Sequence, residues 1–143
     1  MFLAPVKVLA GLFTAFAALT ACVNEADYDG PAKAAAAAKA EKMEYLGIQT
    51  VLLQDDMVSF RVAMKGAQMN SDVEAYGRCA AAQYALIRGF GFARHIRTQV
   101  AKKDNTWRGD AVYLISAALP PGLKTIDAEV MVRDCGEQGI PTI

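Results

Sequence analysis

Ser71-Asp-Val-Glu-Ala-Tyr-Gly-Arg-Cys-Ala-Ala-Ala-Gln-Tyr-Ala-Leu-Ile-Arg-Gly89 is the stretch whose reading decides the fold. Ser71 suits a helix N-cap, Glu74 three residues on can reach back to the cap amide, and Asp72 and Glu74 both complement the helix dipole. At 100° per residue, Val73, Tyr76, Cys79, Ala80, Gln83, Tyr84, Leu86 and Ile87 fall on one side, with Glu74, Arg78, Ala81, Ala85 and Arg88 opposite. Gly89 is a natural stop. One main amphipathic helix is therefore predicted, and the segments on either side have a different period.

Upstream, Val58, Phe60, Val62 and Met64 alternate with Ser59, Arg61 and Ala63, the signature of a half-buried strand. A preceding strand over 46–53 would close a hairpin with it around Asp55-Asp56, although no glycine marks a tight turn. Downstream, strands are predicted over 92–100, 111–117 and 125–133, the last from the alternation of Ile126, Ala128, Val130 and Val132 with Asp127, Glu129, Met131 and Arg133. Lys102 to Thr106 and Pro120-Pro121-Gly122 supply the connections. The expected fold is α+β, an antiparallel sheet with one main helix on one face, in the order β-β-α-β-β-β over residues 45–143.

The beginning of the chain is of another kind. Lys7 precedes an uncharged apolar run, Val8 to Leu19, of signal-peptide length and too short to span a bilayer as a helix. Leu19-Thr20-Ala21-Cys22 follows and resembles the bacterial lipobox. That resemblance implies cleavage before Cys22, a diacylglyceryl group on its thiol and acylation of the new amine. The alternatives are a plain signal-peptidase site or an uncleaved anchor, and the sparse charge before the apolar run leaves the start codon open. Several acyl chains would anchor stably, each buried methylene contributing about 0.8 kcal/mol. Val23 is not the Asp that retains many lipoproteins in the inner membrane, so a periplasm-facing outer-membrane location is expected.

Residues 22–44 read as the lipidated cysteine followed by a tether. Pro31 to Glu44 is rich in Ala and Lys, fits a short spacer helix and lacks a stripe of large apolar residues. A partner-binding helix is the other reading. With the leader removed, fourteen basic side chains face fifteen acidic ones, a balance that argues against a nucleic-acid binder.

Two cysteines remain once Cys22 is lipidated. In an oxidising compartment Cys79 and Cys135 are expected to form a disulfide clamping the helix to the sheet; two free thiols are the alternative. A metal site built from Cys79, Cys135 and His95 would compete with that bond and lacks local ligand spacing. His95 is the single histidine, and no Gly-x-Ser-x-Gly, His-Glu-x-x-His or glycine-rich phosphate loop occurs. No catalytic residue, metal or cofactor is expected. Asp127 and Glu129 share one face of the predicted last strand, which suits acid-base work but equally suits a solvated face.

The best interaction candidate is the basic segment carrying Arg94, Arg97, Lys102, Lys103, Trp107 and Arg108, suited to anionic lipid or an acidic envelope protein. In a regular strand Arg94 and Arg97 have opposite parity, which would split the charges between faces, and a plain solvated face is the stronger alternative reading.

The lipobox, the helix around Tyr76-Gly77-Arg78-Cys79 and the strand after it resemble small α/β lipoproteins of proteobacteria. The resemblance implies anchoring and envelope residence and carries over no catalytic residue. Three functions follow in order: a non-catalytic interaction or assembly module, a carrier or sensor of a small apolar or acidic ligand bound between helix and sheet near Tyr76, Tyr84 and the basic segment, and an enzyme without a recognised motif.

Overall fold

The computed structural model describes residues 42–143, with residues 31, 32, 34, 35 and 38 of the alanine-rich stretch in helical conformation. The leader, Leu19, Thr20, Ala21 and Cys22 lie outside the described residues. The elements are β1 (Glu44–Gln54), β2 (Met57–Lys65), α1 (Asn70–Ile87), β3 (Phe92–Lys103), β4 (Thr106–Ser116), β5 (Thr125–Asp127) and α2 (Ala128–Glu137). The sheet is antiparallel throughout, in the order β1-β2-β4-β3-β5. Because β4 inserts between β2 and β3, those two run parallel, and α1 is the crossover that parallel strands require.

Both tight hairpins close on aspartate. Gln54 pairs with Met57 and Lys103 with Thr106, which leaves Asp55-Asp56 and Asp104-Asn105 as two-residue turns. Asp55 and Asp104 take φ of 47° and 54°. Short polar side chains tolerate this left-handed region, so aspartate does the work usually given to glycine.

The start of α1 corrects the expected cap. The cap is Met69, and it is the Asp72 carboxylate that accepts from the amides of Gln68 (2.9 Å) and Met69 (3.2 Å), while Ser71 is exposed. Asp72 thus satisfies orphan donors at the positive end of the helix dipole.

Val58, Phe60, Val62 and Met64 of β2 are buried against α1, as are Trp107, Ala111, Tyr113 and Ile115 of β4. Small residues let the helix close on the sheet. A Cβ at Gly109 would stand 2.6 Å from Val73 Cγ1, and one at Gly77 would stand 2.7 Å from the Ala111 methyl. A bulge of α1 therefore fills a hollow of β4, and four residues later the relation reverses. Two facing predictions are overturned: Ala81 and Ala85 are fully buried, and Ile87 is 61% exposed. The two alanines are covered by α2, which packs against α1 on a flank that would otherwise meet solvent.

The largest difference from expectation lies at residues 125–133. Only Thr125–Asp127 is strand, pairing with Phe92 to Arg94; Asp127 then caps a helix, its Oδ1 accepting from Val130 N at 3.1 Å. Ala128, Met131, Val132 and Cys135 fall at i, i+3, i+4 and i+7 and pack inward, so this segment carries a helical period alongside the alternating one. Cys135 accordingly sits in α2. The Cys79–Cys135 disulfide, with Cα atoms 6.0 Å apart, joins the two helices and not helix to sheet.

Candidate functional site

Both helices pack on the same face of the sheet, and among the described residues the opposite face carries no helix. Its charge arrangement depends on a β-bulge. The β3–β4 register shifts between His95 and Arg97, so Ile96 is the extra residue, and parity reverses across it. Before the bulge, Ala93 and His95 face the helices; after it, Thr98 and Val100 do. Arg94 and Arg97 consequently share the open face, which overturns the opposite parity expected of a regular strand.

Across that face Arg97 aligns with Val112 and Ser59, Gln99 with Asp110, Arg61 and Gln49, and Ala101 with Arg108 and Ala63. A groove of about 590 Å³ runs over these rows, with Gly47, Ala63 and Ala101 as its floor. Asp110 is its fixed point. Ser59, 1% exposed, donates its hydroxyl to Asp110 Oδ1 at 2.5 Å, and Arg97 Nη2 stands 3.5 Å from Oδ2. Arg61 and Arg108 make no ion pair among the described residues.

The structure therefore divides the basic segment. Arg97 and Arg108 belong to the groove face, with Lys103 at its end. Lys102 and the buried Trp107 belong to the other face, where Lys102 Nζ lies 4.8 Å from the indole centroid. Arg94 lies against Gly122 and has its Nε buried without a hydrogen-bond partner. Arg61 and Asp110 were missed by sequence reasoning because they come from other strands, and only pairing brings them alongside Arg97.

A second, smaller cleft of about 300 Å³ opens under α1 at the far side of the sheet. Glu74 and Arg78, one helical turn apart, form one wall; His95 of β3 and Tyr113 of β4 form the floor; Lys124 to Ile126 form the other wall. His95 Nε2 lies 2.8 Å from Thr98 Oγ1, and its ring meets Tyr113 edge to face at 5.1 Å. Lys124 adopts φ 62°, and its carbonyl accepts from His95 N at 3.0 Å, so the strand edge holds this loop residue in an uncommon conformation. Burial, reinforced by Lys124 and Arg78 against the opposing pull of Glu74, holds the His95 imidazole below its usual pKa. Burial likewise pushes the Tyr113 phenol well above the ordinary tyrosine range.

The other sequence candidates are placed elsewhere. Tyr76 packs edge-on against Tyr45 at 4.8 Å and Tyr84 against Phe60 at 5.6 Å, and neither lines the cleft. Asp127 is spent as a helix cap, Glu129 is exposed in the first turn of α2, and the carboxylate that shares a cleft with His95 is Glu74. The sulfurs of Cys79 and Cys135 are bonded to each other, so the metal arrangement with His95 does not form. Among the described residues no helix is long and apolar enough to cross a membrane.

A five-stranded antiparallel sheet with two disulfide-joined helices on one face and a polar groove on the other is a small α+β domain whose chemistry lies on its surfaces. The chain belongs to the family of the YNQ4 C-terminal domain, whose model matches residues 45–139. It is also 28% identical over 109 residues to the "Uncharacterized 26.9 kDa protein in nqo8 5'region" of Paracoccus denitrificans, a match covering 72% of this chain. The chain spans 43% of that relative's length. No solved structure matches it.

Proposed function

We propose that this protein is an envelope lipoprotein, cleaved before Cys22 and held at the membrane by acyl groups there, whose folded domain is a non-catalytic module that docks an acidic envelope protein on its open sheet face. The observation that carries the docking role is the groove around Asp110, where Arg61 and Arg108 stand without ion pairs among the described residues while Ser59 and Arg97 hold the single carboxylate in place. A cationic face of this kind is recognised by complementary charge, which favours encounter and correct orientation more than tight binding. The anchor rests on the apolar run after Lys7 and on Leu19-Thr20-Ala21-Cys22. The Ala-rich stretch before β1 gives the domain reach from the membrane surface.

Two measurements test the reading. Intact mass from native membranes is expected to show a chain beginning at Cys22 with added acyl mass; a full-length or unacylated chain would remove the anchor. Cross-linking in the same membranes is expected to capture an acidic protein, with capture reduced by added salt and by the pair Arg61→Gln and Arg108→Gln. Capture indifferent to both would remove the docking role.

A further inference from the structure

The cleft under α1 lies across the sheet from Arg61 and Arg108 and is independent of the docking surface. Its volume is at the lower end of small-molecule sites, which begin at about 300 Å³. Two of its lining residues each carry one buried polar atom, Arg78 Nε and Thr125 Oγ1, without a hydrogen-bond partner. Both atoms are closed to solvent, so recognition of a guest in the cleft falls to the charged groups of Arg78, Glu74 and Lys124 that line it. The charges select its sign. Arg78 and Lys124 bring two fixed positive charges, Glu74 brings one negative charge, and Glu74 makes no ion pair with Arg78 although they are one turn apart. A net charge of one calls for a monoanion, whereas a phosphate dianion would be undercompensated. The remaining walls, the Tyr113 and His95 rings and Ile126, suit a short apolar body.

We propose that this cleft binds a small organic monocarboxylate, with the carboxylate between Arg78 and Lys124 and the apolar body against Tyr113 and Ile126. The disulfide lies outside the cleft and links the elements that carry its walls. Cys79 adjoins Arg78, and Cys135 lies in the helix that Thr125 to Asp127 leads into, so the bond fixes the separation of the two walls. His95 tunes affinity. The groups that face it are Glu74 and Arg78 from α1, Tyr113 from β4, Thr98 on its own strand and Lys124 from the loop. Neutral His95 leaves the net charge at one; protonation raises it to two, so carboxylate binding tightens as pH falls and the imidazole takes up a proton.

The single histidine supplies the probe, since its imidazole signal in a nuclear magnetic resonance spectrum needs no assignment if the chain carries no histidine tag. The full chain in detergent is titrated with benzoate, butyrate and inorganic phosphate at constant ionic strength. A saturable shift of the His95 signal with benzoate and butyrate is expected. Lys124→Gln is expected to weaken the benzoate Kd about tenfold, the loss of one charge-assisted hydrogen bond. His95→Gln, followed through backbone amide signals, is expected to flatten the pH dependence, and Lys65→Gln at the far end of β2 to change nothing. Lys124→Gln lies on a surface loop, so the test does not depend on whether Arg78 variants fold. A signal unmoved by either carboxylate overturns the proposal, and so does a shift with phosphate alone or a benzoate Kd indifferent to Lys124→Gln.

Discussion

Gly77 of α1 faces Ala111 of β4 so closely that a Cβ at position 77 would lie 2.7 Å from the alanine methyl. Glycine costs a helix interior about 1 kcal/mol relative to alanine, so on helix propensity alone Gly77→Ala should stabilise. The contact reverses that sign. Overpacking is expected to lower unfolding free energy by about 1 to 3 kcal/mol in urea titration. Gly136→Ala in α2, where an added Cβ meets nothing within 4 Å, is expected to be neutral or stabilising by up to about 1 kcal/mol. Equal effects at the two positions would show that the helix can move away from β4.

The disulfide closes a loop of 56 residues between α1 and α2. In the chain-entropy view such a bond stabilises by roughly 4 kcal/mol. The pair Cys79→Ala and Cys135→Ala is expected to lose most of this in denaturant unfolding. Because α2 covers Ala81 and Ala85, hydrogen exchange should rise first in α2 and in the adjoining flank of α1, and only later in β2 and β4. Uniform exchange across the sheet would contradict the picture of a clamped outer helix.

Stability should fall at both ends of the pH scale for separable reasons. His95 has a depressed pKa in the fold, so below its unfolded value of 6.5 the unfolded chain takes up the proton first and stability declines as pH falls toward the folded pKa. His95→Gln should flatten this acid limb. Tyr113, together with Tyr45 and Tyr76, has a raised pKa. Above the unfolded value of 10.0 the unfolded chain loses those protons first, and stability declines as pH rises. Tyr113→Phe should reduce the alkaline decline in thermal unfolding scans.

Asp127 decides where β5 ends. Its Oδ1 accepts from Val130 N, and Asp127→Ala removes that cap. The expected cost is about 1 kcal/mol in urea unfolding, with increased exchange at the amides of the first turn of α2. Asp127→Asn, which keeps the acceptor, should restore most of it.

Local chemistry was enough for much of the scaffold. The period of two in Val58, Phe60, Val62 and Met64, the long helix that ends before Gly89, and the even cysteine pair each rest on interactions within a few residues or on a simple count, and each stands in the structure. The segment from Thr125 to Arg133 was misread because Ala128, Val130 and Val132 fit an alternating pattern while Ala128, Met131, Val132 and Cys135 fit a helical one. Tertiary packing chose between them: the helical set buries against α1, and a strand continuing beyond Asp127 would forgo that burial. The two sites were less legible still. Arg97 reaches Asp110 only because Ile96 is bulged out, and a bulge belongs to a pair of strands, not to one. Glu74, His95 and Lys124 come from three elements, and no spacing along the chain encodes their meeting. The amino-acid sequence alone determined the elements whose stabilising contacts are local. Which faces those elements share, and therefore where charge and unpaired donors collect, was decided by strand register and helix docking, which depend on atoms far apart in the chain.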